Sequence, residues 1–235
     1  MASSDQKIPV RPIIRREIKS FVRREGRITQ AQTDAIETLW PKYGLEKQDL
    51  LKLDQTFDRK APRFLEIGCG IGDAIISLAK NNPDNDYIGI EVYFPGLGTI
   101  LQKIDQHNLS NVRLVRDDAM ECLRETIPDR SLDGVMVFFP DPWPKKRHNK
   151  RRLIQPKSLS LLAKKLKRHG RLFIGTDWQD YADHIINITK DCDALINLAG
   201  SEIYAPRPSW RQLTRYEKRG LRLGHKVRDF VYSAC

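Results

Sequence analysis

The chain has 235 residues, of which 40% are hydrophobic and 30% charged, a balance typical of one ample globular domain. It contains no run of eighteen apolar residues, and its opening residues 1–5 lack the basic and apolar stretches of a secretory signal, so we expect no membrane association and a cytoplasmic location. The formal net charge of +11 favours a polyanionic partner, because basic side chains neutralise phosphates and release counterions.

Taken in chain order, the sequence predicts a basic arm followed by one folded domain. Residues 1–28 are basic and contain Pro9 and Pro12, which predicts a flexible arm, and residues 29–235 are predicted to form a single domain. The predicted elements are a helix over 30–40 that ends before Pro41, a strand over 64–67, a helix from the following glycine loop to about 82, a strand over 87–91, a helix over 96–107, a strand over 112–115, a helix over 119–127, a strand over 132–139, a helix over 156–168, a strand over 171–175 and a helix over 178–192.

Alternation of strands and helices at this spacing predicts right-handed βαβ units. The fold class expected is therefore α/β, a doubly wound, Rossmann-like and mostly parallel sheet with helices on both faces. Residues 132–139 are the most apolar strand, as a central parallel strand should be. Residues 228–232 are predicted to supply antiparallel strands at the C-terminal edge of the sheet.

A glycine loop follows the first of these strands. It reads Glu66-Ile67-Gly68-Cys69-Gly70-Ile71-Gly72, and glycines at alternate positions allow sharp turns and let a ligand lie against bare backbone. In open sheets, ligands bind beyond the carboxyl ends of the strands. The spacing is G-x-G-x-G, which differs from the G-x-G-x-x-G pattern that places a pyrophosphate at a helix N-terminus.

Acidic residues end the next two strands. Glu91 is suited to accept hydrogen bonds from two ribose hydroxyls, and Asp117 and Asp118 lie where an adenine amino group could donate. NAD is a competing ligand, because Glu91 would also suit its ribose. The glycine spacing disfavours NAD, no hydride-transfer group is evident, and clustered carboxylates suit a cationic sulfonium better than a pyrophosphate. S-adenosylmethionine (SAM) is therefore the predicted cofactor.

The most apolar strand leads into Phe138-Phe139-Pro140-Asp141-Pro142-Trp143-Pro144. Prolines on both sides of Asp141 restrict the backbone, so its carboxylate is expected to have a fixed direction, and Trp143 offers a flat face on which a base could stack. The basic stretch 145–152 follows at once and is suited to hold phosphates. We therefore predict methylation of a nucleic-acid base that is recognised in a pocket at this loop, and the family resemblance described below implies that Asp141 is the catalytic residue.

The four cysteines are expected to be reduced thiols without a chemical role. Cys69, Cys122, Cys192 and Cys235 form no C-x-x-C pair, and none has a metal-ligand spacing with the five histidines. We predict no metal site.

These motifs together resemble the tRNA (guanine-N7)-methyltransferase family of class I SAM-dependent enzymes. The matching segments are Leu65-Glu66-Ile67-Gly68-x-Gly70-x-Gly72, Gly89-Ile90-Glu91-Val92, Phe138-Phe139-Pro140-Asp141-Pro142-Trp143 with Lys145 and Arg147-His148-Asn149-Lys150-Arg151-Arg152, Thr176-Asp177-Trp178, Thr214-x-Tyr216-Glu217-x-Arg219-Gly220 and, near the N-terminus, Ser20-Phe21-Val22-Arg23-Arg24-x-Gly26-Arg27. The similarity covers about residue 20 to the end of the chain. The segments around Asp141 and Arg147 are highly specific together, whereas the glycine loop is common to SAM enzymes.

The resemblance implies methyl transfer from SAM to N7 of guanine at position 46, in the variable loop of tRNA. It implies SAM binding by Glu66, Gly68, Gly70, Gly72, Glu91, Asp118, Ala119 and Asp141. It implies substrate contacts from Lys145, Asp177, Thr214, Arg215, Tyr216 and Glu217. It implies RNA contacts from Arg147, His148, Asn149, Lys150, Arg151 and Arg152. Apart from tRNA no obligate partner is expected, and a monomer and a homodimer both remain open.

Two other functions fit parts of the sequence. A methyltransferase acting on an exocyclic amine would carry an Asp-Pro-Pro-aromatic motif, but a single proline separates Asp141 from Trp143. A catalytically silent RNA-binding protein could keep the fold as a scaffold, but carboxylates are present at each expected strand end.

Overall fold

One eight-stranded sheet organises the part of the chain that the computed structural model describes, residues 18–22, 26–200 and 204–235, without the side chains of Arg215 and Tyr216. The strands are β1 (Gly44–Leu45), β2 (Arg63–Ile67), β3 (Asp86–Ile90), β4 (Val112–Val115), β5 (Leu132–Phe138), β6 (Leu166–Thr176), β7 (Leu195–Asn197) and β8 (Arg228–Ala234). The helices are α1 (Gln30–Tyr43), α2 (Leu53–Thr56), α3 (Asp73–Asn81), α4 (Phe94–Gln106), α5 (Ala119–Glu125), α6 (Pro156–Lys165), α7 (Gln179–Lys190) and α8 (Arg215–Arg222). Short 3-10 helices cover Lys47–Lys52 and Lys146–Arg151.

The strand order is β1-β4-β3-β2-β5-β6-β8-β7. Neighbours from β1 to β6 pair in parallel, whereas β8 pairs antiparallel with both β6 and β7. The predicted α/β class, its mostly parallel sheet and its antiparallel C-terminal edge are confirmed. The strand order reverses between β2 and β5, which is where doubly wound sheets bind ligands.

Helices cover both faces of this sheet. The apolar side chains of α5, α6 and α7 belong to one buried cluster, and those of α1, α3 and α4 belong to another. Strand β5 serves both, because Val135 and Val137 enter the first cluster and Met136 and Phe138 the second. Residues on successive positions of a strand point to opposite faces, so a strand buried on both sides must be apolar throughout.

Two predicted helix ends are wrong. Helix α1 continues through Pro41 to Tyr43, which is buried at 3% exposure, because its packing against α4 outweighs the roughly 3 kcal/mol that an interior proline costs. Helix α6 stops at Lys165, three residues early. The amide of Ser131 donates to the terminal carbonyl of Lys165 at 3.0 Å, and the next residue, Leu166, already pairs with Leu132 of β5.

The other predicted elements lie within two residues of the observed ones, except for the early start of β6. Strands β1 and β7 and helices α2 and α8 were not predicted. No helix among the described residues is long and apolar enough to cross a membrane. The arm predicted over residues 1–28 lies mostly outside the described residues, so its flexibility stays a prediction.

Candidate active site

Four predicted carboxylates lie at the ends of four adjacent parallel strands. Glu66 is the penultimate residue of β2, Glu91 follows β3, Asp118 lies beyond β4, and Asp141 lies beyond β5. Since the order of these strands is β4-β3-β2-β5, the four residues share one rim of the sheet, and the rim includes the point of strand-order reversal. This is the location that the sequence predicted.

The three glycines of the loop differ in role. Gly68 (φ 71°) and Gly70 (φ 59°) both have left-handed backbone, and a Cβ atom added to either would meet nothing within 4 Å. Gly72 (φ 81°) instead packs against α4, because an added Cβ would lie 2.9 Å from Ile100. The first two glycines therefore leave open space beside bare backbone, and the third permits close helix packing.

Glu66 is a buried carboxylate with an unsatisfied oxygen. It is 4% exposed, and its Oε2 has no hydrogen-bond partner among the described residues. Burial raises the pKa of Glu66 to about 8, and the charge of Glu91 adds to the rise, while a backbone hydrogen bond from Ile75 opposes it. A buried acceptor without a partner is costly, so this position suits a donor that a ligand would bring.

Glu91 fixes the glycine loop to the end of β3. Its Oε2 accepts from the backbone of Gly70 at 2.7 Å, and its Oε1 accepts from the amides of Val92 at 2.7 Å and Tyr93 at 2.9 Å. Burial raises the pKa of Glu91, and the charge of Asp141 contributes to the rise. Glu91 and Asp141 therefore lie close enough together on the rim for their charges to interact.

Asp118 is the N-cap of α5. Its Oδ1 accepts from the Met120 amide at 2.9 Å, and Ala119 is the first residue of the helix. Its Oδ2 accepts from the ammonium of Lys19 at 2.8 Å, and this lysine also bonds Glu121. The Lys19 contact could not be predicted from a local pattern, because 99 residues separate the two partners.

The loop that carries Asp141 has unusual backbone. Phe139 (φ 51°) and Trp143 (φ 47°) are bulky residues in the left-handed region, where each costs on the order of 1–3 kcal/mol. The guanidinium of Arg152 holds the loop by donating from Nε to the carbonyl of Pro142 at 2.9 Å. Asp141 itself is exposed and lies within this constrained segment, between Phe139 and Trp143. The loop backbone around Asp141 is therefore constrained, and the fixed direction of its carboxylate stays a prediction.

Trp143 is not a free stacking platform in this structure. The guanidinium of Arg151 lies 3.9 Å from the centre of its ring, and His148 meets the ring edge-on at 5.9 Å. The indole Nε1 donates to the carbonyl of Ser20 at 3.0 Å. The side chain therefore joins the loop to its surroundings, and its stacking on a base stays a prediction.

The basic stretch divides into two sets with the three-residue period of its 3-10 helix. Arg147 and Lys150 are exposed, as are Lys145 and Lys146 before them, whereas the remaining side chains of the helix turn toward the protein. The amide of Asn149 faces the carbonyls of Trp143 and Lys145, His148 and Arg151 contact Trp143, and Arg152 is 3% exposed and pairs with Asp180. The expectation of RNA contacts from all six residues did not anticipate this division.

Asp177 follows β6 on the same rim. Its Oδ2 lies 2.9 Å from Nδ1 of His225, and a Cβ added to Gly220 of α8 would lie 2.5 Å from the same oxygen. Asp177 therefore anchors α8 and the turn after it to the sheet.

The segment predicted to bind substrate through residues 214–217 forms the start of α8. Thr214 is 9% exposed and caps the helix by accepting from the Glu217 amide at 3.1 Å, and Glu217 is 2% exposed. The side chains of Arg215 and Tyr216 lie outside the described atoms. In this structure Thr214 and Glu217 shape the segment and do not form an open surface.

A buried arginine lies beneath the part of the rim that carries the Asp141 loop. Arg211 is 2% exposed, bonds both oxygens of Glu217 at 2.6 and 3.1 Å, and donates to Asp229 at 2.9 Å. Its guanidinium lies 5.5 and 5.6 Å from the ring centres of Phe138 and Phe139, beside the Asp141 loop. No spacing in the sequence could have indicated this contact set, since its members come from β5, α8, β8 and the loops next to β5 and α8.

Comparison with known proteins agrees with this architecture. A family model described as "Putative methyltransferase" matches residues 60–230. Among solved structures, an aminoglycoside resistance methyltransferase superposes with a TM-score of 0.53 at 19% identity, covering 79% of this chain and 93% of that one. A Streptococcus mutans protein described as a putative methyltransferase in complex with SAH superposes with a TM-score of 0.51 at 14% identity, covering 78% and 97%. At these identities the structures show a shared fold.

Closer relatives are found by sequence. A tRNA (guanine-N(7)-)-methyltransferase of Alcanivorax borkumensis is 47% identical over 220 residues, which are 93% of this chain and 92% of that protein. One of Alkalilimnicola ehrlichii is 48% identical over 221 residues, 93% of each. Since the similarity extends over nearly the whole of each protein, the chain belongs to the tRNA (guanine-N(7)-)-methyltransferase family.

Proposed function

We propose that the protein transfers a methyl group from SAM to N7 of guanine at position 46 of tRNA, releasing S-adenosyl-L-homocysteine (SAH). The observation that carries the proposal is the open backbone of Gly68 and Gly70, which lies beside the unsatisfied carboxylate of Glu66 at the strand-order reversal. The relatives named above are tRNA (guanine-N(7)-)-methyltransferases by name, which supports the methylated base and the tRNA substrate. Phosphate-rich tRNA also agrees with the net charge of +11.

The residues of the rim fit a cofactor with one cationic and one nucleoside end. Open space beside Gly68 and Gly70 admits a ligand close to the backbone, and Glu66 lacks the donor that an amino group would supply. Glu91, with its carboxylate fixed by three backbone amides, is assigned to ribose hydroxyls, and Asp118 to the adenine amino group. When bound, SAM supplies an electrophilic methyl group.

Asp141 is assigned the catalytic role. Guanine N7 has an in-plane lone pair and no proton, so its methylation requires no general base. The purine becomes positively charged as it is methylated, and a carboxylate with a fixed direction stabilises that charge without reorganising. Correct placement of the base adds an advantage of roughly 7–11 kcal/mol. The prolines and the left-handed residues around Asp141 provide the fixed direction.

The grip on RNA is assigned to the exposed half of the basic stretch. Lys145, Lys146, Arg147 and Lys150 are exposed and follow the Asp141 loop directly. Phosphate contacts of this kind position a substrate without reading its sequence. Holding the loop is assigned to the inward half, which comprises His148, Asn149, Arg151 and Arg152.

The test is to incubate the protein with methyl-labelled SAM and an unmodified tRNA transcript, and then to identify the modified nucleoside by mass spectrometry. The expected product is N7-methylguanosine in the variable loop. The matched control is the same transcript with adenosine in place of guanosine at position 46, which should remain unlabelled. Label on an exocyclic amine, or equal label in the control transcript, would refute the proposed reaction or its position.

A further inference from the structure

A short N-terminal segment, residues 18–22, lies across the rim, and we call it the strap. The side chain of its Lys19 extends to the start of α5, where it donates to Asp118 at 2.8 Å and also to Glu121. Asp118 is the carboxylate assigned above to adenine. The strap is therefore anchored by its lysine to the cofactor side of the rim.

The backbone of the strap is bound to the other side of the rim, where the Asp141 loop lies. Three successive carbonyls accept hydrogen bonds from the loop that follows β5. The Lys19 carbonyl accepts from Nε of Arg151 at 3.2 Å, the Ser20 carbonyl from Nε1 of Trp143 at 3.0 Å, and the Phe21 carbonyl from Nη2 of Arg151 at 3.2 Å. Because Arg151 also stacks on Trp143 at 3.9 Å, the strap and both side chains form one connected set.

The chain meets the rim again after the strap. Gly26 packs so closely against Tyr93 that an added Cβ would lie 2.5 Å from the tyrosine hydroxyl. Tyr93 in turn donates its amide to Glu91 at 2.9 Å. The N-terminal segment thus contacts the ends of β3, β4 and β5, three of the strands that carry the rim carboxylates.

We propose that the strap couples the cofactor side of the rim to the loop of Asp141, and that Lys19 is its positioning residue. The inference rests on the proposed function, since Asp118 and Asp141 are assigned there to cofactor and catalysis. Lys19 supplies the side-chain anchor at α5, and the three carbonyls transmit its position to Trp143 and Arg151. An unanchored strap leaves these two residues without their backbone acceptors and lets the Asp141 loop move.

The local electrostatics favour an anchored lysine. Hydrogen bonds to Asp118 and Glu121 raise the pKa of Lys19, so it remains cationic at neutral pH. Asp118 and Glu121 are three residues apart at the start of one helix and would repel each other without the ammonium between them. The contact is partly exposed, with 38% exposure for the lysine side chain, so salt screens it.

The variant to test is Lys19→Met, which keeps most of the length of the side chain and removes its charge. Hydrogen exchange of the full chain, followed by mass spectrometry of peptides that cover residues 143–152, should show exchange faster by about tenfold, because the loop opens more often. With labelled SAM and tRNA, kcat should fall by about tenfold, whereas the Kd for SAH should change by less than about threefold. Lys19→Arg should restore both exchange and kcat.

Lys47→Met is the matched control. Lys47 pairs with Glu125 and lies 3.9 Å from Glu121 on the same helix, so it shares the acidic surroundings of Lys19 without belonging to the strap. The substitution should leave the exchange of residues 143–152 and kcat unchanged. Unchanged exchange in Lys19→Met, or the same acceleration in Lys47→Met, would overturn the coupling.

Tighter SAH binding in Lys19→Met would also overturn the proposal, since it would identify Lys19 as a competitor of adenine for Asp118. Exchange is measured without substrate. If the wild-type protein methylates no tRNA, the proposed function fails while the exchange result still decides whether the strap holds the loop.

Discussion

The two sides of the rim are held in place by different kinds of contact. On the cofactor side, Glu91 is bound by backbone amides of its own turn and of the adjacent glycine loop, at most 21 residues away. The other side carries the loop of Asp141, where the guanine that accepts the methyl group is proposed to bind, and we call it the acceptor side. There Arg151 donates hydrogen bonds to carbonyls 130 and 132 residues away, and Trp143 donates to a carbonyl 123 residues away. The position of Glu91 can thus be encoded in a short stretch of sequence, whereas the loop of Asp141 depends on contacts that only the assembled fold supplies.

The largest expected effect separates chemistry from cofactor binding. Asp141→Ala removes the carboxylate that stabilises the developing charge on the purine, and kcat should fall by roughly 10²–10³-fold, the usual loss for one electrostatic contact in a transition state. Calorimetric titration with SAH should still show binding, because Glu66 and Glu91 remain. Steady-state methylation with saturating tRNA and SAM measures the loss in kcat.

Asp141→Asn tests whether the loss of turnover comes from the missing charge or from the changed shape, since the amide keeps the size of the side chain and removes its charge. Asp84→Ala, an exposed carboxylate in the turn before β3, is the control at the opposite end of the sheet. Turnover by Asp141→Ala within a few-fold of the wild type would remove this carboxylate from the mechanism.

The next effect concerns the stability of the acceptor side. Arg211→Met leaves Glu217 and Asp229 buried without their cation, and breaking a buried ion pair in this way costs about 3–5 kcal/mol. Urea unfolding, monitored by circular dichroism, measures the free energy of unfolding. Lys164→Ala breaks an exposed pair with Asp129 and should cost only about 0–1 kcal/mol. If Arg211→Met lowers the free energy of unfolding no more than Lys164→Ala does, the buried ion pairs of Arg211 do not support the fold.

The same contrast explains what the sequence could predict. The α/β class and the rim positions of Glu66, Glu91 and Asp141 follow from local periodicity and from the rule that ligands bind at carboxyl ends of strands. The burial of Arg211 and Arg152 could not be predicted, because their partners are brought together only by the fold.

Local rules also failed where tertiary packing opposes them. Helix α1 passes through Pro41, and α6 ends at Lys165 because the amide of Ser131 donates to its last carbonyl. The division of residues 147–152 into exposed and inward halves requires knowledge that they form a 3-10 helix, whose period places residues three apart on one side.

A pH experiment examines the cofactor side alone. The pKa of Glu66 is about 8 in the ligand-free protein, so the carboxyl is mostly protonated at pH values well below 8, and a cationic ligand group favours its ionised form. SAM affinity should therefore rise with pH by up to about tenfold per unit below pH 8 and then level off. Glu66→Gln should bind more weakly and lose this dependence. A rise of equal slope in the variant would assign the titration to another group.

The stability of the ligand-free protein should change in the opposite direction. Because burial raises the pKa of Glu66 above its ordinary value of 4.5, the folded protein retains a proton that the unfolded chain releases. The contribution of Glu66 to the free energy of unfolding is fully present below pH 4.5 and is lost as the pH rises toward about 8. Glu66→Gln should therefore be more stable than the wild type at pH 8, as measured by urea unfolding.

The smallest effect distinguishes the two halves of the basic stretch. Replacing both Arg147 and Lys150 by Gln removes two exposed charges, so the slope of log Kd for tRNA against log salt should decrease by about one unit for each phosphate that is no longer neutralised. The Arg152 side chain is only 1% exposed, donates to the carbonyl of Pro142 and pairs with Asp180. Arg152→Gln removes both contacts. It should lower kcat and leave the salt slope unchanged. A flatter slope in Arg152→Gln would mean that this arginine leaves its buried position to bind RNA, and that the loop of Asp141 rearranges when tRNA binds.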